Sequence, residues 1–417
     1  MSETLRGDER VTVKKLVDAA ASPQSQQNWT TYLAGGFLGG PTQWYEVRCL
    51  QFPEGSSTTS QVKRRFNHFS GLRSILRNKF PWKILPKIGE KTGSRTGDND
   101  VELIEFRTFA FQYFLRHVLQ VDEIARSEYI AKFLMNDEVS WESFQNKTLQ
   151  DCEAFAYAPP ATEAVAAYAM SLIPSVASAS VENDNEIARR QALAQDYALL
   201  STALHADDFT QGRLKSVRDF LRLMADDLKR VHEGMSNHSS HAQTVSKRLE
   251  MLNGSMAALN DVGPLGAFTC WAEKMTGTFK AVERDYGYTM KFSVKLCQDL
   301  IVEAIYVFGC LLGLYQASQT ASGLVQNAKD DFQYVLTHQC TKDEVEKRKV
   351  ELAQATARSS VLKAELSSTK AIAKLEFASF HTTLQTHLHA IAKRHGKRRF
   401  DFVKKVLTDS MQLIDSR

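Results

Sequence analysis

The sequence predicts a small mixed α/β domain followed by an all-α, elongated three-helix coiled coil. Three observations carry that expectation. Eight of the nine prolines lie at or before Pro174, and none follows Pro264. A proline inside a helix costs about 3 kcal/mol, so the second half is free to form long helices with one defined break. Leu214, Val217, Leu221, Met224, Leu228, Val231 and Met235 keep 3-4 spacing. The register resumes through Val245, Leu249, Leu252, Met256 and Leu259, a sustained heptad seam. By contrast, Trp44–Leu50 and Val62–Phe66 are rich in β-branched and aromatic residues and read as strands.

Taken in order, residues 1–28 read as a disordered lead. Residues 29–145 form the mixed domain, with glycine turns at Gly35, Gly36, Gly39 and Gly40. Helices are expected over Ser70–Lys79, Val101–Leu119 and Glu128–Leu134, with a polar loop over Gly89–Asp100. Residues 146–186 are a low-charge linker. Within it Val165, Tyr168, Leu172 and Ile173 fall on one helical face, a candidate interfacial amphipathic helix. Residues 187–417 form the coiled coil. After Gly263-Pro264 a second helix is expected from Ala267 to Thr337. Thr341-Lys342-Asp343-Glu344 has capping-box spacing and would start a third helix reaching nearly to Arg417.

Composition sets bounds on function. A chain of 417 residues holds two or three domains with real cores. A hydrophobic share of 43% and a net charge of +4 are ordinary and call for no nucleic-acid partner. The six cysteines show no CxxC spacing, so they predict buried thiols in a reducing compartment. The lead to Gln27 has no apolar core of the signal-peptide kind. Leu300–Leu314 is apolar but short of the ~20 residues of a span, and it contains Glu303. It reads as a buried helix whose excess apolar surface predicts dimerisation. No HExxH, P-loop or GxSxG motif occurs, so neither an enzyme, a cofactor nor a metal site is expected.

The candidate site is cationic. Arg64-Arg65-Phe66 joins guanidinium groups to a flat ring, and Pro86, Lys91 and Arg107 follow. Arginine binds a phosphate monoester through paired hydrogen bonds, while lysine acts as a point charge. Taken alone, the triplet is a solvated strand-end arginine beside a core phenylalanine more often than a site.

Its ordered neighbours resemble the phox-homology (PX) domain of sorting nexins. The basic-basic-aromatic triplet resembles Arg64-Arg65-Phe66, followed by Asn67-His68-Phe69. The family's proline-rich turn resembles Pro86-Lys87-Ile88-Gly89-Glu90-Lys91, with the first proline and final lysine kept. Arg107 ahead of Phe111-Gln112-Tyr113-Phe114-Leu115 completes the likeness. The resemblance implies that Arg65 binds a 3-phosphate, Phe66 stacks under the inositol ring, Lys91 contacts the 1-phosphate side and Arg107 holds the 4- and 5-hydroxyls. The implied ligand is phosphatidylinositol 3-phosphate.

The helical half resembles a BAR domain, the curved dimeric bundle that follows the PX domain in many sorting nexins. Ile301–Phe332 and Asp137-Glu138-Val139-Ser140-Trp141 most resemble the sorting nexin 4 branch. That implies a cytoplasmic protein, peripheral on early endosomes, acting in recycling or autophagy. It would be a homodimer, or a heterodimer with another BAR-domain sorting nexin. Lys280, Arg284, Lys291 and Lys295 fall within about 60° on one helix, a candidate membrane face. Lys393–Arg399 is a denser basic run on an expected exposed face. The alternatives are a coiled-coil adaptor without lipid specificity and, third, a nucleic-acid binder, which lacks interleaved stacking aromatics.

Overall fold

A computed structural model of the chain describes residues 11–15, 44–50, 59–89, 101–151, 184–203, 205–257, 264–284, 291–338 and 340–415. The chain divides into two compact units. The first is Met1–Pro81 with Leu85–Ala154; the second is Trp82–Ile84 with Phe155–Arg417.

The first unit is built on an antiparallel sheet of β1 (Val11–Lys15), β2 (Trp44–Leu50) and β3 (Thr59–Arg65) in that order. The strand β1 lies inside the stretch expected to be a disordered lead, which corrects that expectation. Val11 and Val13 supply two inward positions opposite Cys49 and Val47, and both are buried. Their burial explains why so short a segment is held. Alternation along β2 sends Tyr45, Val47 and Cys49 inward.

Helices cover one face: α1 (Phe66–Lys79), α2 (Val101–Gln120), the single turn α3 (Asp122–Ala125), α4 (Glu128–Met135) and α5 (Glu138–Gln150). The core is aromatic. Phe69 and Phe111 stack with centroids 3.9 Å apart, and Tyr45 meets Phe111 edge-on at 4.9 Å. Asp137 caps α5 by accepting a 2.9 Å hydrogen bond from the Ser140 N–H. Trp141, fully buried, seats α5 edge-on against Phe133 at 5.0 Å. The unit therefore runs beyond 145 to the end of α5 and closes at Ala154.

The second unit comprises α6 (Asp184–Ser201), α7 (Gln211–Ala257), α8 (Pro264–Arg284), α9 (Lys291–Thr337) and α10 (Lys342–Asp415). Of the helix expected from Ala267 to Thr337, the parts within Pro264–Arg284 and Lys291–Thr337 are described and are helical, and residues 285–290 lie outside the described residues. At 74 residues, α10 spans roughly 110 Å. Its capping box forms as expected: the Glu344 N–H donates to Thr341 Oγ1 at 3.3 Å, and the Thr341 N–H donates back to Glu344 at 3.1 Å.

The seam is the core of this unit. Leu214, Val217 and Leu221 of α7 join Ile301, Ala304, Phe308 and Leu311 of α9 and Phe377 and Leu384 of α10. Val231 departs from the expectation and is 44% exposed. Between 300 and 314 every residue is buried except Val302, Tyr306, Gly309 and Gly313, which are half-buried. Ile84, Tyr197, Leu200 and Phe209 belong to the same cluster. The apolar run is thus enclosed within one chain, which corrects the inference that its excess surface needs a dimer. Phe292–Thr337 is long and apolar enough to cross a membrane, but 61% of its most apolar window is buried in the bundle. Three of the described cysteines, Cys49, Cys297 and Cys310, are buried thiols outside any disulfide, and burial pushes Cys297 up to about 12.

Candidate phosphoinositide site

The two arginines of the triplet do different jobs because strand geometry sends neighbours to opposite faces. Arg64 pairs in register with the inward Tyr45 and is fully buried. Its Nε donates to the Phe133 carbonyl at 3.0 Å, its Nη2 to the Asn136 carbonyl at 2.7 Å, and its Nη1 to the Lys63 carbonyl at 2.8 Å. The guanidinium thus ties down the last carbonyls of α4, where cationic charge is favoured. It also lies 5.1 Å from the Phe133 ring centroid. Burial pulls its pKa down to about 10, opposed by nearby Asp137 and Glu138. Arg64 is a structural cation.

Arg65 pairs in register with Trp44 on the outer face, its guanidinium 5.8 Å from the Trp44 ring. It is also the residue before α1. His68, at the third helical position, accepts from the Arg65 backbone N–H through Nδ1 at 3.3 Å. With Nδ1 accepting, the neutral ring carries its proton on Nε2, which lies 2.8 Å from Glu142 Oε1 and donates to it. Arg65 Nε lies 3.1 Å from the same Nε2, and Arg65 Nη2 pairs with Glu142 directly. Burial lowers the His68 pKa, so the ring is neutral near pH 7. The hydrogen bond from His68, then the charge of Arg65, hold the Glu142 carboxyl below its usual range.

Phe66 opens α1 and is half-buried against the core. The Arg107 guanidinium of α2 lies over its ring, 4.7 Å from the centroid. The fold therefore brings Arg107 of α2 onto Phe66 at the start of α1, while the neighbouring Arg65 turns toward Trp44, His68 and Glu142. Nearby, the Pro86 carbonyl accepts from Arg73 Nε at 3.0 Å. Gly89 takes φ +87°, and a Cβ there would stand 3.3 Å from Phe106 and 3.9 Å from Arg107. Both conformation and space require glycine at this turn. Lys91 lies outside the described residues, as do Val165, Tyr168, Leu172 and Ile173 of the amphipathic candidate.

The expected basic face on the bundle falls on two helices. Lys280 and Arg284 belong to α8, Lys291 and Lys295 to α9. Lys280 pairs with Glu250, and Lys295 sits 3.5 Å from Asp299. The side chains of Arg284 and Lys291 are outside the described set. Of Lys393–Arg399, all but half-buried His395 are exposed.

Sequence reasoning missed Glu142 and the structural role of Arg64. Strand alternation carried the signal for Arg64. Glu142 is 77 residues from Arg65, and no local pattern joins them.

Residues 52–137 match the PX domain family. Over 97% of its length the chain superposes on 99% of a chain from the cryo-EM structure of the SNX-BAR Mvp1 tetramer, with TM-score 0.55 at 13% identity. The protein is thus an N-terminal PX domain, with a small three-stranded antiparallel sheet and helices, followed by a mostly helical region of SNX-BAR fold. In sequence, it is 28% identical over 120 residues to autophagy-related protein 20 of Vanderwaltozyma polyspora, a match covering 21% of this chain. The match spans 18% of that relative's length.

Proposed function

We propose that this chain is a peripheral-membrane sorting nexin. Its PX domain reads phosphatidylinositol 3-phosphate, and its helical half works as a BAR domain that senses or imposes curvature on endosomal tubules. The observation that carries this is the Arg107 guanidinium over the ring of Phe66, the residue next to Arg65, within a region matching the PX family. Arg65 binds the 3-phosphate, Phe66 carries the ring, and Lys91 and Arg107 complete the headgroup contacts. The role is non-enzymatic cargo recycling or autophagy from the cytoplasmic face of early endosomes, with affinity to the sorting nexin 4 branch.

A self-associated or mixed dimer is part of the reading. Phe400, Val403, Leu407 and Met411 of α10 follow helical spacing and are 48 to 67% exposed, a stripe suited to a partner helix. Two PX domains on one assembly raise membrane affinity through effective concentration. The basic residues Lys280, Arg284, Lys291 and Lys295 and the Val165, Tyr168, Leu172, Ile173 stripe are proposed as further lipid contacts. Flotation with liposomes that vary in headgroup and diameter tests the whole. Preference for 3-phosphorylated and small liposomes is expected. Equal binding to plain liposomes would leave the coiled-coil adaptor as the answer.

A further inference from the structure

The guanidinium assigned to the ligand phosphate already holds an anion from its own chain. We propose that Glu142 of α5 is a built-in competitor, occupying Arg65 in the lipid-free protein, which the headgroup phosphate must displace in order to bind. This rests on the phosphoinositide reading above and adds an autoinhibitory contact to it. Glu142 lies beyond the residues that match the PX family, 52–137.

Three features make the contact a device rather than a loose surface pair. First, Glu142 is held in place from below. Trp141, the preceding residue, is fully buried, and Asp137 fixes the start of α5. Second, its position is shared with His68, whose Nε2 lies 2.8 Å from Oε1, so the carboxylate is aimed at Arg65 from a fixed base. Third, carboxylate and phosphate satisfy the same guanidinium donors, so the two cannot both use Arg65 Nη2 fully.

The clamp is shallow by design of its surroundings. The Arg65 and Glu142 side chains are each 33% exposed, where solvent screens an ion pair. A phosphate monoester carries nearly twice the charge of a carboxylate, so it wins Arg65 once it arrives. The displaced Glu142 keeps its bond to His68 and needs no helix to move. The carboxylate then sets a threshold: weak anions fail to open the pair, and a doubly charged phosphate succeeds. His68, Glu138 and Glu142 also bring ligand atoms within 4.8 Å of one another, but Arg65 already neutralises Glu142, so a cation is not required there.

The test uses the full chain with Glu142→Gln and, as a second variant without an amide to desolvate, Glu142→Ala. Vesicles with and without phosphatidylinositol 3-phosphate report the lipid, and soluble inositol 1,3-bisphosphate reports the headgroup alone. Both variants should bind each ligand about three- to tenfold more tightly than wild type. Glu128→Gln, on α4 and paired with Lys132, removes the same charge elsewhere and should change nothing. Unchanged or weaker binding in the Glu142 variants, with wild-type preference intact, overturns the competitor and leaves the lipid reading standing. Equal tightening in Glu128→Gln overturns it too, by reducing the effect to net charge. Absence of any 3-phosphate preference in wild type and in both variants sinks the functional reading itself.

Discussion

Adjacent arginines in one triplet differ in fate because a strand alternates its faces. Arg64 satisfies the closing carbonyls of α4 from a fully buried position. Replacing it with alanine leaves those acceptors without a donor and should cost about 3 kcal/mol. The expected result is a marked fall in the melting temperature of the first unit. Arg65→Gln removes only a screened pair and should cost under about 1 kcal/mol, while abolishing 3-phosphate preference in flotation. A large stability loss in Arg65→Gln would make Arg65 a structural residue instead.

The pH dependence follows from the same cluster. The folded-state pKa of His68 is lowered from 6.5 by burial, so the unfolded chain binds its proton first. Its stability contribution is present above about pH 6.5 and is lost as pH falls toward the folded value. Glu142 is lowered from 4.5, chiefly by its hydrogen bond with His68, so its contribution is lost as pH falls below that. Both act in one direction. The melting temperature of the first unit should drop progressively from pH 7 to pH 4, and His68→Asn should flatten the upper part of that slope.

At the scale of elements, capping decides where the longest helix begins. Thr341 and Glu344 exchange hydrogen bonds at the start of α10. Thr341→Ala should weaken that turn by about 1 kcal/mol, seen as faster amide exchange confined to the first turns of α10. Helix ends of this kind were legible in the sequence, because capping depends on residues three apart. Strand β1 was illegible: Val11 and Val13 make a strand only because Cys49 and Val47 lie opposite.

At the scale of the molecule, the exposed Phe400, Val403, Leu407 and Met411 stripe is the surface that the proposed self-association would cover. Charge placed there, as in a Phe400→Glu, Leu407→Glu pair, should shift the protein toward monomer in light scattering without lowering its melting temperature. An unchanged mass would rule this stripe out as a self-association surface. Loss of self-association should also weaken liposome binding, through loss of paired PX domains.

Sequence by itself determined the division into a mixed domain and a helical one, the seam, the cap of α10 and the PX-like order of Arg65, Lys91 and Arg107. Those features are local or periodic, so spacing along the chain records them. Only the tertiary structure decided that Arg64 is buried, that the 300–314 run is enclosed within one chain, and that Glu142 reaches Arg65. Each of these depends on groups far apart in sequence brought together by packing, and no period or motif links such pairs before the chain folds.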